Sequence, residues 1–199
     1  MTVYYSFALD LEPARLADRT RYWISDPAAL ATHQARYQRW FEGAPRFESD
    51  RPELDRMWAY RWYLARRNLA DPGTGLLPHP LYWEGRGHKC SNDPWNPSGW
   101  EFSKMIPFST PFHILEGLWH EDLSAVHGEL RNLALNQSDD GTYPYACIHR
   151  TGGRYYNFIP WAVWQLHSLR PDDAFLAEIA PSLARNVDAW VDLYDTDGD

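Results

Sequence analysis

Apolar residues recur at helical spacing in several stretches of the chain, separated by segments with no period. The first stretch follows Asp26-Pro27, an N-cap with proline in the first turn, and runs to about Phe41 before Gly43. A second follows Asp50-Arg51-Pro52 and sets Leu54, Met57, Trp58, Arg61, Trp62 and Leu64 at helical intervals up to Asn68, with Asp71-Pro72-Gly73 closing it. Ser109 or Thr110 caps a third, which carries Pro111 in its first turn and reaches Trp119; a fourth spans about Asp122 to Leu135. A fifth covers about Pro160 to Leu169, and a sixth about Asp172 to Leu193, where Pro181 is expected to break and restart the helix. Only MTVYYSFAL, residues 1–9, has the β-branched and aromatic character of a strand, and it lacks a partner.

The third and fourth stretches are joined by a short turn, so they must be antiparallel neighbours. Long aromatic, glycine-rich segments separate the pairs: residues 71–108, and "NQSDDGTYPYACIHRTGGRYYN". Loops of this length inside a compact domain are usually functional or disordered, and the aromatic residues here favour function. The recurring unit is a helical hairpin, which predicts an all-α fold of stacked hairpins in a toroid. Residues 1–25 read as a strand and linker from the end of a preceding β-domain.

Composition narrows the function. With 199 residues, 44% of them hydrophobic, the chain is long enough for one full core. A formal net charge of -8 argues against nucleic acid or an acidic membrane surface as a partner. No run approaches the roughly 18 apolar residues of a membrane span, and no targeting pattern opens the chain, so the cytoplasm is the default compartment. Cys90 and Cys147 stand in contexts that suggest neither a zinc site nor a disulfide framework. The outlier is tryptophan, 11 residues. An indole joins a large apolar face to one N–H donor, a combination suited to binding surfaces.

Four ordered stretches over roughly residues 45–199 resemble the six-hairpin glycosidases, nearest to the mannosylglycerate-hydrolase-like, family 63 and trehalase-type enzymes. "FSTPFHILEGLW" is similar to their Trp-Asp-Ser/Thr-x-Phe helix start, with Phe108 and Ser109 in place of the tryptophan and aspartate. "NLALNQSDDGTYP" resembles a Leu-x-x-Gln-x-x-Asp-Gly-x-x-Pro segment through Gln137, Asp140, Gly141 and Pro144. "YYNFIPWAVWQLHSL" resembles a Gln-Pro-Pro helix start, reduced here to Ile159-Pro160-Trp161, and "FLAEIAPSLARNVDAWVDLYDTDGD" a long helix ending in an Asp-Gly-rich turn. The resemblance implies an (α/α) barrel, with residues 26–199 as its N-terminal half, apparently truncated, and an inverting hydrolysis of an oligosaccharide or small glycoside. Inversion uses two carboxyl groups about 6.5 to 9.5 Å apart; by the resemblance both fall beyond Asp199. A partial toroid would also expose hairpin faces that the remainder of its own barrel should cover.

Within the chain, "PSGWEFS" is similar to the acid motif of trehalases with Glu101 in the aspartate's place, making Glu101 the one catalytic candidate. Trp95 and Trp100, with Tyr82 and Trp83 in the same loop, suit stacking on a sugar face. Ser109, Phe112, His113, Gln137, Asp140 and Trp161 complete the expected substrate-binding set. His113, Glu116 and His120 share a helix face that could hold a metal, yet nothing supplies a further ligand, so none is expected and no cofactor is implied. Asp195, Asp197 and Asp199 match the opening of an EF-hand loop whose remaining positions are absent. The rival class is a noncatalytic carbohydrate-binding or helical interaction protein.

Overall fold

A computed structural model describes residues 14, 17–18, 21–22, 25–73, 75–84, 104–147, 150–195 and 198. The strand expected at residues 1–9 lies outside these, as do Trp95, Trp100, Glu101, Asp197 and Asp199. The chain divides into two compact units, Met1–Ala44 and Pro45–Asp199. The first contains helix α1, Ala29–Glu42, which ends at Gly43 as the sequence predicts. Asp26 acts just ahead of it, its Oδ1 accepting the Ala28 N–H at 2.8 Å.

The second unit is mostly helical, with α2 (Pro52–Asn68), α3 (Thr110–Gly117), α4 (Ser124–Leu135), α5 (Ile159–Leu169) and α6 (Asp173–Tyr194). Proline occupies the first turn of α2, α3 and α5, where its missing N–H costs nothing. Asp172 caps α6 by accepting the Phe175 N–H at 2.9 Å, a contact that contributes about 1 kcal/mol. Packing follows a two-layer plan. α3 lies against α5 and α4 against α6, while α3–α4 and α5–α6 are the hairpins. First helices therefore form one layer and second helices the other, the arrangement of a partial (α/α) toroid. Ile114, Leu118, Leu130, Leu133, Ile159, Val163, Leu166 and Ile179 are among the buried residues joining the layers.

Pro181 does not break the last helix, which is continuous from Asp173 to Tyr194. Proline removes the bond to the carbonyl four residues earlier. Here both Pro181 and Ala177 are exposed, so that carbonyl meets water, while buried Ile179 and Leu183 hold the helix on its other face.

The long loops hold more order than their lack of period predicts. Strand β1 (Leu69–Ala70) pairs antiparallel with β2 (Leu81–Tyr82). In the second loop β3 (Pro144–Cys147) pairs with β4 (Arg150–Arg154), and Ala146 makes a two-way bridge to Met105. The segment leading into β2 is fixed by α4 instead of by a strand. Asn136 Nδ2 donates to the Leu76 carbonyl at 2.7 Å. Asn132 donates to the His79 carbonyl at 3.0 Å and accepts the His79 N–H at 3.2 Å, and Glu129 accepts the Tyr82 N–H at 3.1 Å. Polar residues one helical turn apart thus satisfy a backbone that would otherwise be buried without partners. The approach needs Gly128, because a Cβ there would stand 2.2 Å from the Pro80 carbonyl oxygen.

Candidate functional site

A cavity of about 660 Å³ opens between α2, α3 and the strand β2. Its apolar wall is aromatic: Trp58, Trp62, Trp83, Phe108, Phe112 and Trp119. Its polar groups come from α2 (Arg61), the residue after Trp83 (Glu84), and α3 (Ser109, His113, Glu116). Sequence spacing places Ser109, Phe112 and His113 at the start of α3, and the structure brings all three to this cavity together with Tyr82 and Trp83.

Ser109 precedes α3 without capping it by its side chain. Its hydroxyl instead donates to Glu84 Oε2 at 2.8 Å, tying the helix start to the end of β2. Glu116 forms an ion pair with Arg61 across the cavity, between two exposed side chains. Beneath the wall lies Glu129, fully buried at 0% exposure. Its carboxylate accepts from Thr110 Oγ1 at 2.7 Å, from the Tyr82 N–H, and from His113 Nδ1 at 2.9 and 3.2 Å. A buried carboxylate without such donors would cost several kcal/mol.

The pair sets the electrostatics of the site. Burial alone would pull the His113 pKa down, but the Glu129 charge and hydrogen bond, with Glu84 behind them, hold it above the ordinary histidine value. The Tyr82 hydroxyl is pushed well up, first by burial and then by the Glu129 charge. It stays neutral and serves as a wall, its ring 5.9 Å from that of His113.

Half-exposed rings continue from this cavity along the ends of α3 and α5. Phe108 and Phe112 lie 6.0 Å apart, Phe112 meets Phe158 edge-on at 5.2 Å, and Phe158 lies 5.9 Å from Trp161. Trp161 lines a second cavity of about 620 Å³ with Tyr156, Trp190 and Tyr194, whose rings contact one another. Two of its lining residues hold buried polar atoms, Asn186 Oδ1 and Trp190 Nε1, without a hydrogen-bond partner among the described residues.

Gln137 and Asp140 have other positions. Gln137 Nε2 donates to the Gly141 carbonyl at 2.7 Å and the Ser182 carbonyl at 2.9 Å, stitching the end of α4 to α6. Asp140 accepts from Thr142 N and Oγ1 and pairs with Arg154; the Thr142 bonds are the main reason its pKa is lowered. No cluster suited to a metal ion occurs among the described residues. His113 and Glu116 of the imagined triad turn to Glu129 and Arg61, and His120 Nδ1 accepts the Asp122 N–H at 3.0 Å. Asp195 accepts the Gly198 N–H at 2.8 Å, closing a turn.

Glu129 and Glu84 are the residues that sequence reasoning passed over. Glu129 carried a usable signal, being a carboxylate inside the apolar stripe formed by Val126, Leu130 and Leu133. Glu84 carried none.

The helical-hairpin double layer is the architecture expected of a partial (α/α) toroid. Residues 102–199 match the family model of the mannosylglycerate hydrolase MGH1-like glycoside hydrolase domain. The match agrees with the resemblance of its motifs over those residues. No curated protein and no solved structure matches the chain. Among the described residues no helix is long and apolar enough to cross a membrane.

Proposed function

We propose that this chain forms one wall of the sugar cleft of an inverting glycoside hydrolase acting on a small glycoside or oligosaccharide. The row of half-exposed rings from Phe108 through Phe112 and Phe158 to Trp161 carries this reading, because it borders a cavity whose α3 wall falls within the residues that match a glycoside hydrolase family model. The C–H faces of a pyranose match such rings, while its hydroxyls find Arg61, Glu84, Ser109, His113 and Glu116 around the rim. Hydrolysis itself draws on other groups, since inversion needs one carboxyl to protonate the leaving oxygen and another to activate water. Glu101 is the candidate acid within the chain.

One observation favours a second reading, binding without turnover: Glu84, Glu116 and Glu129 are each held by a partner within the protein. Titration of pyranosides against tryptophan fluorescence, with a panel of aryl glycosides assayed in parallel, separates the two. Turnover by the chain, or by a version that completes its barrel, supports the hydrolase; binding without turnover even in the completed barrel supports the second reading; and no binding at all sinks the carbohydrate assignment. Phe112→Ala should weaken binding by roughly 3- to 10-fold, corresponding to about 1 kcal/mol of ring contact.

A further inference from the structure

A sugar in the cavity meets ring surface and polar rim groups, His113 among them, while Glu129 lies buried behind that wall. His113 is the least exposed charged side chain of that wall, 17% against 0% for Glu129 beneath it. Three donors converge on the Glu129 carboxylate: the Thr110 hydroxyl, the Tyr82 N–H and His113 Nδ1. A carboxylate in that position is an acceptor only, so Nδ1 must carry a proton, and the tautomer is fixed. The other ring nitrogen, Nε2, makes no hydrogen bond among the described residues, and His113, 17% exposed, lines the cavity.

We propose that Glu129 is a positioning residue that holds His113 with Nδ1–H inward, leaving Nε2 as a proton-dependent contact for the oxygens of a bound sugar. This rests on the cavity being the sugar site. While the ring is an imidazolium, Nε2–H donates to a hydroxyl or ring oxygen with charge assistance. Once the ring is neutral, the same atom can only accept, and a hydroxyl must turn round to meet it. The charged and titratable groups facing the ring are Glu129 from α4, Glu84 after β2, the Tyr82 hydroxyl of β2, and the Arg61–Glu116 pair of α2 and α3. Glu129 and Glu84 both favour the imidazolium. The donor form is therefore the low-pH form, and it persists above the range in which a free histidine loses its proton.

The 199-residue chain tests this by long-range proton–nitrogen NMR of the histidine rings, with His113→Gln assigning the signal. We expect Nδ1 to stay protonated throughout, Nε2 to titrate above the free-histidine range, and Glu129→Gln to lower that midpoint. In parallel, binding of methyl α-D-glucopyranoside, -mannopyranoside and -galactopyranoside is followed across the same pH range. The sugar that binds should weaken at least about threefold as Nε2 deprotonates, corresponding to part of one charge-assisted bond. His113→Gln should remove that pH step, and Glu129→Gln should move it with the NMR midpoint. A purely structural Glu129 would lower the melting temperature of Glu129→Gln and leave the midpoint in place, which overturns the proposal. A neutral Nε2–H tautomer in the wild type overturns it without any variant, so a Glu129→Gln chain that fails to fold does not remove the test. Binding that is flat across pH defeats this inference alone, whereas no binding of any pyranoside at any pH defeats the sugar site as well.

Discussion

The α3–α4 and α5–α6 hairpins share a plan and differ in what lies beneath their ring-bearing ends. Each first helix begins with a proline in its first turn followed by a half-exposed ring, Pro111-Phe112 in one and Pro160-Trp161 in the other. The next residue separates them. It is His113 in α3, paired with buried Glu129, and Ala162 in α5, buried among apolar neighbours. The second helices differ in the same sense. α4 sends Glu129, Asn132 and Asn136 into the interior and satisfies each with a donor or acceptor, while α6 buries Asn186 with its Oδ1 unpaired. One scaffold thus yields a charged, fully bonded site and a mostly aromatic one. The hairpin supplies shape, and the polar chemistry comes from whatever the second helix places under the first.

The largest effect should come from breaking the bonded site. Glu129→Leu removes the acceptor of three donors and strands His113, and should destabilise the unit by about 3 to 5 kcal/mol in urea unfolding. A loss below 1 kcal/mol would show that the pair is not the anchor of its hairpin. Gly141→Ala, at the junction the two hairpins share, comes next at about 1 to 3 kcal/mol. Gly141 has φ +85° and a Cβ there would meet the Arg185 carbonyl oxygen at 2.5 Å. Asn186→Leu sharpens the contrast from the other side. Its Oδ1 is already unpaired, and the Gly141 carbonyl keeps its bond from Gln137, so the change should stay within about 1 kcal/mol. Equal losses at Glu129 and Asn186 would erase the distinction between the hairpins.

A pH series reads the same difference more finely. The folded His113 pKa is raised, so its contribution to stability is complete below the unfolded value and disappears as pH rises through the folded one. The urea midpoint should fall across that window in the wild type and lose this step in Glu129→Gln. The smallest effect is expected at Arg131→Ala on the outer face. Its bonds to Glu178 at 2.7 Å join two solvent-exposed side chains and should contribute about 0.2 to 1 kcal/mol.

Helix positions in the second unit were legible from proline and spacing: Pro52, Pro111 and Pro160 mark starts that the structure keeps. The hairpin pairing followed from the short turn after Trp119. Pro181 misled because its effect depends on which face it occupies, and a sequence does not say which carbonyl will meet water. The cavity wall was partly legible, since Phe112 and His113 lie at a helix start marked by Pro111. Its lower half was not, because Glu129 meets His113 only after α4 folds against α3, and Glu84 reaches Ser109 only after residues 76–82 are laid along α4.

By itself, then, the sequence determined the helices, their pairing and the match of residues 102–199 to a glycoside hydrolase family model. These rest on local rules: periodicity, fixed proline φ, and motifs whose residues are close along the chain. The tertiary structure alone decided which polar residues become chemistry. A carboxylate acts on a histidine 16 residues away only when both are brought within hydrogen-bond distance and shielded from water. Shielding is what makes their interaction strong enough to fix a tautomer and shift a proton.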